Sequence, residues 1–187
     1  MKSKRRAILS ELSEQRALRS AHFERSLKKI KRKLKGQLKL TVLSEADRTP
    51  LVNYLIDCNL EGVGEKRLSW IKDNDEVTPI KLAELINSGA EALIDNGWEI
   101  TQSTANSMTK MSNLEILKME ELELPDIIKI ELNVAHGEQE HYRSLDKLST
   151  GQQCTAILHL LLLQNKDPLI MDQPEDNLDN AFIADRI

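Results

Sequence analysis

The first 35 residues contain neither proline nor glycine, the two residues that most disfavour a helix interior. Apolar residues recur there at spacings of three and four, at Ile8, Leu12, Leu27, Ile30 and Leu34. Polar residues between positions 15 and 22 interrupt this stripe, so the pattern alone does not establish a continuous coiled coil. A narrow apolar stripe on a charged helix is typical of one that packs against a partner helix. We therefore expect residues 1–36 to form a helical, coiled-coil-like arm.

The arm carries most of the positive charge of the chain. Residues 1–40 hold 14 Lys and Arg against 3 Asp and Glu, whereas the remaining residues hold 12 against 27, which gives net charges of +11 and −15. A basic run such as Lys28 to Lys35 has two interpretations. It is either a solvated helix face or a contact surface for nucleic-acid phosphates, and the sequence leaves both open.

Composition limits the remaining possibilities. Aromatic residues make up 3% of the 187 residues, which predicts an aliphatic core of helices and Leu/Ile strands. Cys58 and Cys154 lie far apart without a nearby histidine cluster, which argues against a disulfide framework and a zinc site. The longest apolar run, 156–163, is too short to span a membrane, and the basic N-terminus lacks the apolar core of a secretory signal. We expect a cytoplasmic protein with no membrane segment.

Alternating patterns predict two strand regions separated by helices. Leu38, Leu40 and Val42 alternate with polar residues, which predicts a strand over 37–43. Ile128, Ile130, Leu132 and Val134 alternate likewise, which predicts a strand with one polar face, and residues 140–143 are the candidate hairpin partner.

Residues 44–121 are predicted to form a small subdomain of short helices. Thr49-Pro50 and Thr78-Pro79 each place an N-cap residue before a proline at the first helical position. Four glycines mark expected helix ends, at positions 62, 64, 89 and 97. Trp70 and Trp98 are most simply packing residues.

A possible anion site precedes the apolar run 154–163, which we expect to be a buried helix. The preceding residues are Leu148-Ser149-Thr150-Gly151-Gln152-Gln153. Free backbone N–H groups and the positive end of the dipole at a helix N-terminus favour a phosphate. Ser149 can add a hydroxyl donor, and Gly151 permits close approach of the backbone. Taken alone, this pattern is most often only a helix cap.

A second polar feature follows about twenty residues later. The apolar run Pro168-Leu169-Ile170-Met171 ends in Asp172, and the acidic loop 173–179 comes directly after it. A buried strand that ends in Asp is where α/β proteins hold Mg²⁺ beside a triphosphate. By itself such a run is also common, and an acidic loop is usually a solvated turn.

In this order and spacing, the segments resemble the second half of an ABC-type ATPase head of the SMC/RecF-like branch. LSTGQQ resembles the signature motif, LIMD the Walker B motif and NLD the D-loop, while DQPEDNLDN is similar to bacterial ATPases of the TrlF type and of anti-phage defence systems. The motif resemblance covers about residues 128–187 and is only architectural before that. It implies an α/β fold class, mostly helical by content. Residues 122–187 would be the C-terminal lobe of a P-loop ATPase, 37–43 a strand joining it, and 44–121 a helical insert.

The resemblance also implies a shared active site, with ATP and Mg²⁺ as cofactors. In that family two heads enclose two ATP molecules. By implication Ser149, Gly151 and Gln152 would contact an ATP held by the other head or by an N-terminal lobe, Asp172 would hold the Mg²⁺ shell, and Asp179 would communicate across a homodimer. The complete protein would couple ATP binding and hydrolysis to action on nucleic acid, in DNA repair or anti-phage defence.

Two departures from the family pattern qualify these expectations. Gln173 stands where the family has a glutamate that activates water; an amide can orient a water but cannot take its proton, and Glu175 is the nearest candidate base. No GxxxxGK[ST] occurs in the 187 residues. We therefore expect a fragment of a longer ATPase that is inactive alone. The alternative is a standalone module that binds nucleic acid or a partner and carries degenerate ATPase elements.

Overall fold

The computed structural model describes residues 2–34, 36–135 and 140–164, together with Ile170, Asp172, Gln173 and Leu178. This part of the chain is mostly helical and contains a three-stranded sheet. It divides into two compact units: residues up to 17 with 44–127, and residues 18–43 with the described part of 128–187. The first is the helical unit and the second the sheet unit.

The described helices, numbered in chain order, are α1 (Lys2–Lys33), α2 (Thr49–Asp57), α3 (Ser69–Asp73), α4 (Pro79–Ser88), α5 (Ala90–Asp95), α6 (Gln102–Met108), α7 (Asn113–Glu120) and α8 (Thr150–Gln164). The strands are β1 (Leu38–Leu43), β2 (Ile127–Asn133) and β3 (Tyr142–Ser144). These elements confirm that the first 36 residues are mostly helical, and they confirm the two predicted strand regions, the hairpin partner and the series of short helices.

The helical unit is built around one apolar core from α2 to α7. Its large, fully buried side chains include Leu51, Leu55, Leu68, Ile71, Val77, Leu82, Leu93, Met108 and Met119. Trp70 and Trp98 are also buried, and their rings stack with centroids 5.6 Å apart. The prediction that both tryptophans are packing residues is confirmed.

Side-chain caps set several helix starts in this unit. Thr78 Oγ1 accepts a hydrogen bond from the Lys81 N–H at 3.2 Å, which confirms the predicted cap of α4. The prediction for Thr49 was wrong, because Thr49 is itself the first residue of α2. Its N–H instead donates to the Asp47 carboxylate at 2.9 Å, and hydrogen bonding to Thr49 lowers the pKa of Asp47. Ser112 and Glu115 form a full capping box for α7.

Of the four glycines predicted to end helices, two do so and two do not. Gly89 and Gly97 follow α4 and α5 with φ of 105° and 86°, conformations that glycine adopts without a Cβ clash. Gly62 and Gly64 do not end a helix, because α2 already ends at Asp57.

The first half of α1 contacts the C-terminal end of α7 within the helical unit. Arg5 donates to the Glu120 carboxylate at 2.9 Å, the Glu121 carboxylate at 3.3 Å and the Leu117 carbonyl at 2.8 Å. Arg16 donates to the Glu121 carbonyl at 3.1 Å. The two guanidinium groups therefore satisfy carbonyls at the negative end of α7, where cations are favoured.

The sheet unit contains the strands in the order β1-β2-β3. β2 and β3 are antiparallel, with Leu132 opposite Arg143. β1 and β2 are also antiparallel, because the Asn133 N–H donates to the Gln37 carbonyl at 2.8 Å while Lys39 pairs with Glu131 at 3.9 Å. One sheet face packs with α1 and α8 in a core of Leu27, Leu34, Leu38, Leu40, Leu132, Leu148 and Ala156. The predicted inward face of β2 holds at Leu132 but not at Ile128, which is 40% exposed.

A glycine turn connects α1 to β1. Gly36 has a φ of 75°, in the left-handed region that most other residues avoid. The Tyr142 hydroxyl donates to the Gly36 carbonyl at 2.9 Å. This hydrogen bond ties the end of the helix to β3, so the turn and the hairpin support each other.

We expect Leu82→Ala to lower the free energy of unfolding by about 2–5 kcal/mol, because it leaves a cavity at a fully buried position. Urea denaturation checks this. Leu114→Ala is the matched control: its side chain is 62% exposed, so the expected loss is below about 0.5 kcal/mol. Equal losses in the two variants would contradict the described core.

We expect the Tyr54 hydroxyl to ionise only at high pH, because burial, with a contribution from Cys58, raises its pKa to about 12. Its hydroxyl donates to the Glu115 carbonyl at 2.7 Å. Because the folded pKa is raised, this stabilisation is complete below the unfolded pKa of about 10 and is lost as the pH rises towards about 12. Tyr142→Phe leaves Tyr54 as the only tyrosine, and ultraviolet absorbance follows its ionisation. An ionisation midpoint at about pH 10, in a variant that keeps its native circular dichroism, would refute the prediction.

Candidate nucleotide-binding site

The start of α8 is positioned by a short turn that follows β3. Leu148 is buried in the core of the sheet unit, so Ser149 emerges at the surface directly before the helix. The Gln153 side-chain amide donates to the Leu145 carbonyl at 2.9 Å and to the Leu148 carbonyl at 3.3 Å. No sequence motif predicts a role for Gln153, but its side chain holds this turn against the helix.

Ser149 and Gln152 hold each other in a reciprocal capping box. Ser149 Oγ accepts from the Gln152 N–H at 3.3 Å, and Gln152 Oε1 accepts from the Ser149 N–H at 3.3 Å. The Gln153 N–H donates to the Ser149 carbonyl at 2.9 Å. Two of the three predicted nucleotide contacts on this turn therefore also have a structural role, which the S-x-x-Q spacing could have indicated.

Three donors remain for an anion at this helix end. In the described part of the chain, the backbone N–H groups of Thr150 and Gly151 belong to the first turn, where no preceding helical carbonyl can accept them. Ser149 Oγ accepts from Gln152, so its own proton is still available to donate. Together with the helix dipole, these groups suit a terminal phosphate.

The charges next to this turn are mixed. Asp146 and Lys147 are both exposed in the turn that precedes Ser149. The Ser144 hydroxyl donates to the Asp146 carboxylate, which lowers the pKa of Asp146 and keeps it ionised at neutral pH. The fixed negative charge of Asp146 offsets Lys147, so the attraction for a phosphate comes from the helix end itself.

The other predicted site residues are not joined to this turn. Asp172 and Gln173 are both exposed, and within the described residues no hydrogen bond or ion pair links them to the start of α8. Gln173 has a φ of 47°, in the left-handed region that non-glycine residues rarely adopt. Glu175 and Asp179 lie outside the described residues. Of the predicted site residues that the structure describes, only Ser149, Gly151 and Gln152 are brought together.

Asp172 is the predicted metal ligand, and it lies among the residues that the structure describes. In the stretches that the structure describes, no group of three or more His, Cys, Asp or Glu side chains could hold a metal ion. Mg²⁺ needs no such cluster, because it is commonly held by one or two carboxylates together with substrate phosphates and water. The exposed carboxylate of Asp172 fits that mode of binding.

The burial predicted for α8 is only partly correct. Ala156 and Leu158 are buried, but Ile157, Leu161 and Leu162 are 47%, 50% and 51% exposed. Apolar residues surround the helix, but only one side of it packs in the core of the sheet unit. The prediction of a buried helix was therefore wrong for the side that carries Ile157, Leu161 and Leu162.

Comparison of the chain with protein-family models, with curated proteins and with solved structures finds no match. Across the helices that are described, none is both long and apolar enough to cross a membrane. A functional assignment consequently depends on the motifs and on the local geometry of the start of α8.

We expect Ser149→Ala to lower the free energy of unfolding by about 1 kcal/mol, because it leaves a helix-start N–H without its acceptor. Gln152→Ala breaks the same box, so the double variant should lose less than the sum of the single losses. Denaturant unfolding of all three variants measures this coupling. Thr150→Ala, one position away and outside the box, is the control. Strict additivity of the two losses would show that the box does not form.

Proposed function

We propose that this chain is part of an ABC-type ATPase head of the SMC/RecF-like kind, which couples ATP binding and hydrolysis to action on nucleic acid. The observation that carries the proposal is the signature-like segment at the start of α8. There the Ser149 hydroxyl and the N–H groups of Thr150 and Gly151 converge on one exposed helix end. The Walker B-like run follows at the spacing expected for such a head.

The proposed role of α8 is to contact a phosphate that another part of the active site holds. Two backbone N–H groups and one hydroxyl can orient a γ-phosphate and stabilise its charge during transfer. The chain has no GxxxxGK[ST] loop to grip the remaining phosphates. We therefore assign Ser149, Gly151 and Gln152 to an ATP bound by a second head or another lobe, with Gln152 acting mainly by fixing Ser149.

The remaining residues of the proposed site would act on the metal and the water. Asp172 would hold water-bound Mg²⁺, which neutralises charge on the phosphates. Gln173 would orient the attacking water without accepting its proton, and Glu175 is the candidate base. Asp179 would act across a homodimer of the complete protein. An amide in place of the usual glutamate favours slow, switch-like turnover.

An amide-resolved titration tests the proposed phosphate contact. We expect millimolar Mg-ATP, but not adenosine, to shift the backbone amide resonances of Thr150 and Gly151, with a Kd of roughly 1 mM. Gly151→Asp should abolish these shifts, because its carboxylate repels the phosphate. The helix itself should not be weakened, because an acidic residue in the first turn favours a helix. Gln102→Asp makes a similar change in the first turn of α6 and should leave the shifts unchanged.

Two results would contradict this proposal. The first is the absence of any ATP-dependent shift at the start of α8 in a folded chain. The second is stoichiometric binding of ATP with sub-micromolar affinity, because the chain would then contain a complete nucleotide site and α8 would not act on an ATP held elsewhere.

A second candidate is a standalone module that binds nucleic acid or a partner, and the net charge of +11 on residues 1–40 favours it. Asp172→Asn separates the two candidates. In the module, binding of nucleic acid is unaffected by this change and by ATP. In an ATPase, the change abolishes the ATP-dependent part of the behaviour of the complete protein.

A further inference from the structure

Two basic residues near the start of α1 have acidic partners. In the first half, Arg5 contacts Glu120 and Glu121, and Arg6 lies 3.8 Å from Glu84. These charges are partly compensated within the helical unit. The +11 of the first 40 residues is therefore not uniformly available to a partner.

In the second half, four basic residues form one stripe: Arg25, Lys28, Lys29 and Arg32. Their spacing is i, i+3, i+4 and i+7, which places them on a single side of a helix. All four side chains are exposed. Within the described residues, none of the four makes an ion pair, so the charge of this basic stripe is uncompensated.

The rotation of α1 in the sheet unit is fixed by its apolar residues. Leu27 and Leu34 are 8% and 1% exposed in the core, and Ile30 packs against the same cluster. At about 100° per residue, the centre of the basic stripe lies on the opposite side of the helix from these residues. The helix therefore cannot turn the stripe inwards without removing leucines from the core.

The geometry of the basic stripe suits the backbone of a nucleic acid. It extends about 10.5 Å along the helix axis, and phosphates on one DNA strand recur every 3.4 Å or so along the duplex, so about three can be contacted. Between Arg25 and Arg32, α1 exposes no large apolar side chain, whereas protein interfaces depend on buried apolar or aromatic anchors. A regular polyanion therefore fits it better than an acidic protein surface.

We propose that the basic stripe binds the phosphate backbone of double-stranded nucleic acid without reading its sequence. The inference rests on the proposed function for its biological role. Binding itself requires only the four cations, and neither ATP nor Asp172 takes part in it. The site is separate from the start of α8, so the two proposals can fail independently.

Fluorescence anisotropy with a short labelled DNA duplex, in the absence of ATP and Mg²⁺, tests the inference on the 187-residue chain. If the stripe neutralises about three phosphates, a plot of the logarithm of the association constant against the logarithm of the salt concentration should have a slope of about −3. Affinity then drops about sixtyfold when salt rises fourfold. Lys28→Glu/Arg32→Glu should weaken binding at least about tenfold and reduce the slope to about −1.

The matched control is Lys66→Glu/Lys118→Glu, which changes the net charge equally at exposed positions of the helical unit. It should keep the affinity within about twofold, because it lies outside the stripe. A neutral pair, Lys28→Gln/Arg32→Gln, should give an intermediate loss. Circular dichroism establishes that each variant keeps its helix content.

Three outcomes would overturn the inference: an unchanged salt slope in the folded stripe variants, an equal loss in the control variant, or equally strong competition by polyglutamate of the same total charge. The last would identify an acidic polypeptide as the partner. Stripe-dependent binding in a chain that shows no ATP-dependent shift at α8 would refute the ATPase proposal alone. An ATP-dependent shift without stripe-dependent binding would refute this inference alone.

Discussion

The packing of Leu27 and Leu34 against the three-stranded sheet is the contact on which both proposed binding surfaces depend. It fixes the rotation of α1, so the opposite side of that helix faces solvent. It also completes the core that Leu148 enters, and the burial of Leu148 determines where α8 begins. The exposure of Ser149 and that of the basic stripe thus follow from one small aliphatic core.

Much of the fold could be predicted because its patterns are local. The absence of proline and glycine predicts α1, and period-two alternation predicts β1 and β2, since each depends on backbone preferences and on one buried face. The wrong predictions are those that depend on the tertiary surroundings of a helix rather than on its own sequence. Threonine is a residue type that favours the N-cap, yet Thr49 is already helical and the Asp47 carboxylate, two residues earlier, accepts from its N–H. The apolar content of α8 does not reveal that only one side is covered.

The candidate site was predictable where its residues are neighbours in sequence. Ser149, Gly151 and Gln152 lie in one helical turn, so their proximity follows from helix geometry alone. Any relation between that turn and Asp172 requires tertiary contacts that sequence spacing does not specify. The charge of α1 shows the same limit. Counting lysines and arginines leaves both a solvated face and a binding face open, whereas the contacts of Arg5 and Arg16 show that these two cations are already engaged.

The capping box at Ser149 and Gln152 also has a consequence for rates. A loop that must fold around its ligand pays an ordering entropy on every encounter and releases the ligand only when it reopens. The first turn of α8 is already ordered by its own side chains, so an anion meets donors in their final geometry. Binding there would be preorganised but shallow, with rapid exchange and residence times set by whatever else holds the ligand.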